Sequence, residues 1–548
     1  MRRVRRWGAV WVSLVLGFLC AACSPAAGPP PAEDVTPRPG GRFVFPLRAE
    51  PATLDFVGAS DQFSALVTRL VGDSLVDLDA NLRVVPRLAE SWTISSDGRR
   101  LVFRLRAGVR FHDGVPLTSD DVVFTWRRIV DPRSRALAWL DGFLPVDRVN
   151  PVDPRTVEVI YREPYAPALQ AWAVPIQPRH LCEHDFADDG PCRRAPIGSG
   201  PFRFGSWDAG RRIVLHANED YWGGRPWLDT FVFQVIPSQE TTLQALLAGE
   251  IDYAPLSPAQ WSVYGDSAAF ARRFDTVRFV PLFFYYIAWR GDGSNPFFAD
   301  PAVRRALAAV LDRDAYIRAV WRGRGRATRS LFHPAVLRPE VEEDSGSTGE
   351  VTEGPAESAR RLDEAGWRLD PASGLRTRHG VPFRFSLLVF GGGEDHLMFS
   401  QVVQESLRRL GIEMAIERLD WATLRQRLAA GTFEAALSGI VPGADPDDLR
   451  TMLHSSQVKE GRNYAAFRDD RVDAWLDEAR RTTDPARRRA LYLEVDRRIR
   501  LLQPYTPLFF PLQEAAVSRR FGGVVASPRG ILDHHPGAAR VHLRAGTP

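Results

Sequence analysis

The sequence predicts an α/β protein with more than one domain. Between Phe383 and Val441 the segments alternate in the order strand, helix, strand, helix, strand, which is typical of a βαβ layer with a mainly parallel sheet. The chain has 548 residues, more than one hydrophobic core usually supports, so two or three domains are expected. The apolar run from Phe279 to Trp289 is too short to cross a membrane and predicts one long strand.

The N-terminus has the composition of an export signal. Arginines at positions 2, 3, 5 and 6 precede an apolar run from Trp7 to Leu19 and the segment Cys20-Ala21-Ala22-Cys23. We therefore expect a signal peptide over residues 1–22. Ala-Ala before Cys23 resembles a lipoprotein cleavage site, in which that cysteine is lipidated; secretion without a lipid is the alternative. Residues 23–40 are rich in Pro, Ala and Gly and predict a tether.

The charge balance excludes one class of partner. The formal net charge of +4 includes the four leader arginines, so the exported chain is close to neutral. No basic stretch is interleaved with aromatic residues, as surfaces that bind nucleic-acid strands require. We therefore expect no nucleic-acid partner.

The segment from Pro86 to Pro132 predicts a compact hairpin followed by a helix. Its expected elements are a helical turn over Leu88–Trp92, a turn at Ser96-Asp97-Gly98, a half-buried strand from Leu101 to Leu105, and a helix capped by Thr118 and Asp121 that ends at Asp131-Pro132.

The amino-acid sequence of this segment resembles that of a known family. It resembles the signature of the extracellular solute-binding proteins of ABC importers, in their peptide, dipeptide and nickel class. The matching parts are, in order, PRLAESW, DG and FRLRAGVRFHDGVPLTSDDV. A second block, PIGSGPFRFGSWDAGRRIVLHANEDYWGG from Pro196, is similar to the same family. The resemblance extends from Gly41 to about Gly523.

Further elements are expected along the rest of the chain. The strands are Gly41–Leu47, Phe202–Trp207, Arg212–His216, Phe231–Ile236 and the segment TPLFFP, and the helices are Gln62–Val76, Thr241–Gly249, 300–320 and two charged helices between Val472 and Arg500. The acidic stretch from Glu340 to Gly354 predicts a surface loop.

Cys182 and Cys192 lie in one loop, HLCEHDFADDGPCRR. In an exported chain a local disulfide is the favoured interpretation. A metal site that also uses His180 and His184 is the alternative.

The sequence contains no motif that indicates catalysis. Nucleophile-elbow, zinc-protease and zinc-ribbon spacings are missing. Gly391 to Gly393 lack the Lys-Ser/Thr of a phosphate-binding loop, and Asp533-His534-His535 is typical of a surface turn. We therefore expect neither an enzyme nor a cofactor.

The resemblance implies a two-lobed α/β fold of the type II periplasmic binding proteins, with an extra signature subdomain. The implied divisions are lobe I, discontinuous, at 41–76, 191–285 and 509–545, the signature subdomain at 77–190, and lobe II at 286–508. The lobes of such proteins close by hinge motion on a ligand held between them. The expected protein is a monomer, anchored by lipid on the outer face of the cell membrane or in the periplasm.

The resemblance also implies which residues line the ligand site. These candidates are Trp139, Tyr285, Tyr286, His396, Trp421, Asp445 and Phe509. For each aromatic residue, a place in a hydrophobic core is the alternative.

One loop departs from the family. Peptide-binding members resemble Gly-Trp-x-x-Asp…Asp-Pro, and the first aspartate holds the α-ammonium of the peptide. Here Ile440 replaces the tryptophan, and Pro442 or Gly443 falls where that aspartate would be. Either Asp445 or Glu394 substitutes, or the ligand has no free α-amine; the last interpretation is favoured, because Asp445 precedes Pro446 as a helix cap does.

Three functions follow as hypotheses. The first is capture of a peptide or similar solute for delivery to an ABC permease and its ATPase. The second is binding of a non-peptide ligand, such as a metal chelate, by the same fold. The third is a non-transporting surface receptor or folding helper.

Overall fold

The computed structural model describes residues 37–134, 136, 138–186, 190–337, 354–392 and 394–545. Cys23, the tether up to residue 36 and the acidic stretch 340–353 lie outside these residues. Within the described part of the chain, no helix combines the length and the apolar character needed to cross a membrane.

The first structural unit, lobe I, is built on three small sheets. The strands, in spatial order, are Arg42–Leu47, Thr230–Val235, Arg212–Ala217 and Phe202–Asp208; then Tyr253–Leu256, Gln513–Ser518 and Phe274–Phe279; and Pro37–Arg38, His542–Arg544 and Phe521–Gly522. Its helices are Gln62–Val71, Gln239–Ala248, Pro258–Tyr264 and Ala268–Ala271. The predicted helix from Gln62 to Val76 is thus five residues shorter, because Gly72 ends it and Val76 begins a strand.

The second unit, which we call the subdomain, spans the chain from 76 to 186. Its sheets contain Ala89–Ile94, Arg100–Leu105, Thr156–Tyr161 and Val146–Asp153, all antiparallel, and the pair Val76–Leu78 and Val84–Pro86. Its helices are Ser119–Val130, Leu140–Phe143, Ala168–Ala171 and Arg179–Cys182, followed by Pro191–Arg194. The capping box of Thr118 and Asp121 forms as predicted.

The predicted helical turn at Leu88–Trp92 is wrong. Ala89 to Ile94 form a strand, in which Trp92 pairs with Phe103. Pairing with the buried neighbouring strand satisfies the backbone and buries side chains, and this tertiary gain overrides the weak local helix preference.

The third unit, lobe II, surrounds a six-stranded sheet between residues 284 and 511. Its strands, in spatial order, are Gly325–Ala327, Tyr505–Pro511, Phe284–Trp289, Ala435–Ile440, Arg384–Phe390 and Glu413–Leu419, and a small sheet adds Arg368–Leu369, Arg376–Arg378 and Val381–Pro382. Only the last three strands of the large sheet pair in parallel. The βαβ unit is therefore confirmed, but the expectation of a mainly parallel sheet is wrong.

The helices of lobe II cover both faces of this sheet. They are Pro301–Ala309, Arg313–Ala319, Pro355–Glu364, Glu394–Arg408, Trp421–Ala430, Arg450–Leu453, Gln457–Glu460, Asp470–Arg481 and Pro485–Leu502. The helix predicted over 300–320 is two helices, because the Asp312 side chain accepts a hydrogen bond from the Ala315 N–H and caps a new start.

The chain passes between the lobes at two adjacent places, each of them a break between two strands. The single strand predicted from Phe279 to Trp289 is two strands, Phe274–Phe279 in lobe I and Phe284–Trp289 in lobe II. Pro281 interrupts them, since proline has no N–H for a ladder. The return passage lies at Leu512, between Tyr505–Pro511 and Gln513–Ser518. The two passages are neighbours, so they can act as one hinge.

A disulfide joins Cys182 to Cys192, with an S–S distance of 2.00 Å. Both sulfurs are buried against Phe124 of the subdomain helix. The alternative metal site would need these sulfurs as free thiolates.

Candidate ligand-binding cleft

A group of aromatic side chains gathers in lobe II next to the passage between the lobes. Tyr285 is the second residue of the strand that enters lobe II, and its ring stacks on Phe509 of the returning strand at 4.9 Å between centroids. The His396 ring lies 5.4 Å from Tyr285, edge to face. Three residues predicted from three distant parts of the sequence therefore come together, although Phe509 is 1% exposed and supports the other two from the hydrophobic core, the alternative named for it.

Two further rings extend this aromatic group. Trp321 packs 5.3 Å from Phe509 and 6.1 Å from Tyr285. Tyr316 also lies 5.3 Å from Phe509, and its hydroxyl accepts a hydrogen bond of 3.1 Å from the Trp321 indole N–H. Neither residue was predicted; the pair lies in and just after the helix Arg313–Ala319, where its spacing looks like an ordinary core pattern.

Trp421 continues the group toward solvent. It is 49% exposed and packs edge to face on Phe390 at 5.8 Å, and Phe390 in turn lies 5.8 Å from His396. Phe390 ends its strand, and Trp421 begins the helix that follows the next strand. These positions lie at the carboxyl ends of the parallel strands, the edge at which open α/β sheets bind ligands.

His396 has a charged neighbour. Its Nδ1 lies 3.2 Å from Oδ1 of Asp395. Burial would raise the pKa of Asp395, but the hydrogen bond and the charge of His396 outweigh it and lower that pKa. Burial, with the negative charge of Asp395, raises the pKa of the Tyr285 hydroxyl. Tyr285 is therefore a neutral hydrogen-bond donor at neutral pH.

Two predicted residues lie elsewhere. Tyr286 is 2% exposed, faces the other side of the sheet and packs edge to face on Tyr505 at 5.4 Å. Trp139 packs against the hydrophobic core of the subdomain. Tyr286 therefore lies in a hydrophobic core, the alternative named for it, whereas Trp139 is only partly buried beside the core of the subdomain.

The loop of residues 440–449, which we call the acidic loop, follows the strand Ala435–Ile440. Asp445 accepts a hydrogen bond of 2.8 Å from the Asp447 N–H, and Arg488 binds both of its oxygens. Asp447 is buried, lies 3.4 Å from Arg480 and accepts a hydrogen bond of 3.2 Å from the Tyr492 hydroxyl. Both carboxylates are therefore already paired with groups of the protein itself.

Asp448 differs from these two carboxylates. Its side chain is exposed, and among the described residues none forms an ion pair with it. Although water reaches its surface, the protein around this carboxyl group desolvates it, and with the charges of Asp445 and Asp447 this raises its pKa to about 7, so the group is only partly ionised at neutral pH. A cation beside this group would favour its ionised form and lower this pKa.

The position of Asp448 relates it to the missing family aspartate. A Cβ atom built on Gly443 would overlap Oδ2 of Asp448. The carboxylate of Asp448 thus fills the space where a side chain at 443 would begin. One helical turn, Pro446–Leu449, brings position 448 back over the start of the loop. Glu394, the other candidate named from the sequence, has a side chain outside the described part of the structure.

Relatives of known type share this architecture. The oligopeptide-binding protein AppA of Bacillus subtilis is 29% identical over 540 residues, which cover 95% of this chain and 96% of AppA. The solved structure of AppA in complex with a nonapeptide superposes with a TM-score of 0.76 at 27% identity, covering 93% of this chain and 100% of that one. These two comparisons span both lobes and the subdomain.

Two more relatives differ in what their names say they bind. Di/tripeptide-binding protein 2 of Pseudomonas aeruginosa is 28% identical over 481 residues, 82% of this chain and 85% of that protein. The nickel-binding periplasmic protein of Escherichia coli is 25% identical over 481 residues, 84% and 87% of the two chains. The model of the bacterial extracellular solute-binding proteins, family 5, matches residues 83–461. The chain is a two-lobed α/β protein with an extra subdomain, and it belongs to the bacterial extracellular solute-binding proteins of family 5.

Proposed function

We propose that this protein captures a peptide or peptide-like solute between lobe I and lobe II and delivers it to an ABC permease with its ATPase. The observation that carries this proposal is the aromatic group at the strand ends beside the hinge. Trp421, at the exposed end of this group, supplies apolar contact, while Tyr285 and His396 supply polar atoms that orient a ligand. The names of AppA and of the di/tripeptide-binding relative support a peptide.

We also propose that the ligand presents an ammonium group to Asp448. The sequence alone favours a ligand without a free amine, because Asp445 precedes a proline as a helix cap does. Asp445 is held by Arg488, whereas Asp448 has an exposed carboxylate at the place of the missing side chain. A peptide α-ammonium would be a positively charged partner for this carboxylate, which forms no ion pair among the described residues.

Calorimetry with matched free and N-acetylated peptides tests both proposals. The solutes to try first are those that mass spectrometry finds bound to the purified protein. We expect the free amine to bind more tightly by about 2–5 kcal/mol, and Asp448→Asn to remove that preference. Asp266→Asn, a change of an exposed aspartate in lobe I, is the control. Equal affinity for free and acetylated peptides would rule out the ammonium contact. If no peptide bound at all, a peptide would be ruled out as the ligand.

A metal chelate is the second candidate. His396 in the aromatic group and the nickel-binding relative favour it. Metal analysis of the purified protein by mass spectrometry distinguishes the two: one equivalent of a metal, lost in His396→Ala, would favour the chelate. A third possibility, a receptor or folding helper without transport, predicts normal solute uptake in cells that lack the protein.

We further propose that residues 1–22 are removed, that Cys23 is lipidated, and that the monomer is held on the outer side of the cell membrane. The extracellular character of the family supports export. We also propose the domain limits 41–76, 191–285 and 509–545 for lobe I, 77–190 for the subdomain and 286–508 for lobe II. The chain passages near Pro281 and Leu512 support limits close to 285 and 509.

A further inference from the structure

The subdomain touches lobe II at a second place, away from the hinge. The backbone N–H of Ala166 donates a hydrogen bond of 2.7 Å to the carbonyl oxygen of Arg480. The Arg480 guanidinium lies 3.0 Å from Asp141, and Arg481 lies 2.8 Å from Glu163. These contacts join the C-terminal end of the helix Asp470–Arg481 to residues more than 300 positions earlier in the chain.

The tight turn of the subdomain hairpin adds to this contact. A Cβ atom on Gly98 would lie 2.7 Å from Cγ2 of Thr483, so the turn approaches the end of the same helix closely. Gly98 has φ +67°, a conformation that other residues adopt only with strain. A larger residue here would push the subdomain away from lobe II.

The attachment of the subdomain to lobe I is of a different kind. Gln177 donates a hydrogen bond of 2.6 Å to Asp55, and Arg128 lies 3.5 Å from the same buried carboxylate. Asp55 and Arg128 are each at most 1% exposed in their side chains. Separating buried charges leaves each without a partner, which is strongly unfavourable. We therefore expect the subdomain to move with lobe I.

The acids that face lobe II are instead open to water. The side chains of Asp141 and Glu163 are 67% and 53% exposed. Exposed ion pairs contribute little and weaken with salt, so this contact can break without leaving a buried charge. It is the contact that an opening motion about the hinge would separate.

Arg480 connects this contact to the acidic loop. Its Nε lies 3.4 Å from Oδ2 of Asp447, while its Nη2 faces Asp141, and its guanidinium lies 5.2 Å from the Tyr165 ring. One side chain is therefore shared between the subdomain and the residue next to Asp448. The side chain of Arg480 is only 18% exposed, which limits the orientations it can adopt.

We propose that Arg480 is a positioning residue that holds the subdomain against lobe II in the arrangement that the structure shows, and that this contact helps to retain a solute. The closing of the lobes on a solute rests on the function proposed above. The contact itself, between Ala166, Asp141 and Arg480, does not depend on the identity of the solute.

Hydrogen exchange of the Ala166 amide in the exported, ligand-free protein tests the contact. Pro164 and Pro167 flank this residue and have no N–H, so a short fragment around Ala166 reports few other amides. We expect Asp141→Asn to speed its exchange about two- to fivefold. Glu158→Gln, which removes an acid paired with Arg100 inside the subdomain, should leave it unchanged. High salt should also speed the exchange in the wild type, and its effect should be smaller in Asp141→Asn, in which only the exposed Arg481–Glu163 pair is left to be screened.

A role for the contact in solute retention has its own readout. With a probe peptide that binds the wild type, Asp141→Asn should raise the dissociation rate about two- to fivefold, with little change in the association rate. Fast exchange of Ala166 in the wild type, or equal exchange in the wild type and Asp141→Asn, would overturn the contact. An unchanged dissociation rate with altered exchange would overturn the role in retention. A protein that binds no peptide refutes the proposed function but leaves the exchange result standing.

Discussion

Arg488 donates two hydrogen bonds to Asp445, one of 2.6 Å from Nη2 to Oδ1 and one of 3.0 Å from Nη1 to Oδ2. The same carboxylate caps the helical turn Pro446–Leu449 by accepting from the Asp447 N–H. Both partners are largely buried, at 13% and 17% exposure. Asp445 therefore stabilises the acidic loop from within, which leaves Asp448 as the carboxylate in that loop available to a ligand.

Asp445→Asn should destabilise the protein without weakening solute binding. Asparagine still caps the turn, but the charge that pairs with Arg488 is lost, so we expect a cost of about 1–3 kcal/mol in the free energy of unfolding. Urea titration measures it. Asp484→Asn is the matched control, because Asp484 also precedes a proline and caps a helix but is exposed. An affinity loss in Asp445→Asn as large as that in Asp448→Asn would contradict this role.

Asp252 should make stability depend on pH. This buried carboxylate accepts a hydrogen bond of 2.9 Å from the Val44 N–H, and its nearest cation, Arg520, is 3.9 Å away. Burial outweighs both and raises the pKa of Asp252 to about 6. Its carboxyl group then binds its proton more tightly in the folded than in the unfolded chain, so its contribution to stability falls as pH rises from about 4 to 6.

In Asp252→Asn, the free energy of unfolding should no longer have this dependence on pH. Between pH 4 and pH 7 the variant should gain about 2–3 kcal/mol relative to the wild type, measured by urea unfolding at each pH. Asp220→Asn, a change at an exposed position of lobe I, should follow the wild type. Parallel curves for Asp252→Asn and the wild type would show that Asp252 titrates normally.

The disulfide should be present in the exported protein and stabilise it. Cys182 and Cys192 are ten residues apart, so on the chain-entropy account removing the bond costs about 2–3 kcal/mol. Changing both cysteines to alanine avoids leaving one reactive thiol in the buried cluster. Urea unfolding measures the cost. Reaction of native, unreduced protein with a thiol reagent at both positions would refute the bond.

Cys23→Ser should release the protein from membranes. A lipoprotein cysteine carries several acyl chains, which is what stable anchoring requires. The measurement is the share of the protein in the membrane and soluble exported fractions. Cys20→Ser, three residues earlier in the leader, is the control and should stay membrane-bound. If Cys23→Ser also remained in the membrane fraction, the anchor would lie elsewhere.

Local patterns predicted much of the fold. The capping box of Thr118 and Asp121 and the alternation of strands and helices after Phe383 depend on contacts within a few residues, so they can be read from the chain directly. The family follows from the long signature around Pro86 to Pro132. The strand at Ala89–Ile94 could not be predicted in this way, because its pairing with Arg100–Leu105 and the core beneath decide its conformation.

The composition of the candidate site depended on tertiary structure. The sequence by itself determined the family and the approximate places of the aromatic residues, and it predicts an export signal. Neighbouring residues of a strand face opposite sides, so only the packing of helices on the sheet decided that Tyr285 joins His396 while Tyr286 enters a core. In the same way, Arg488 occupies Asp445 and the turn after it brings Asp448 over Gly443, because those contacts join parts of the chain that no local pattern relates.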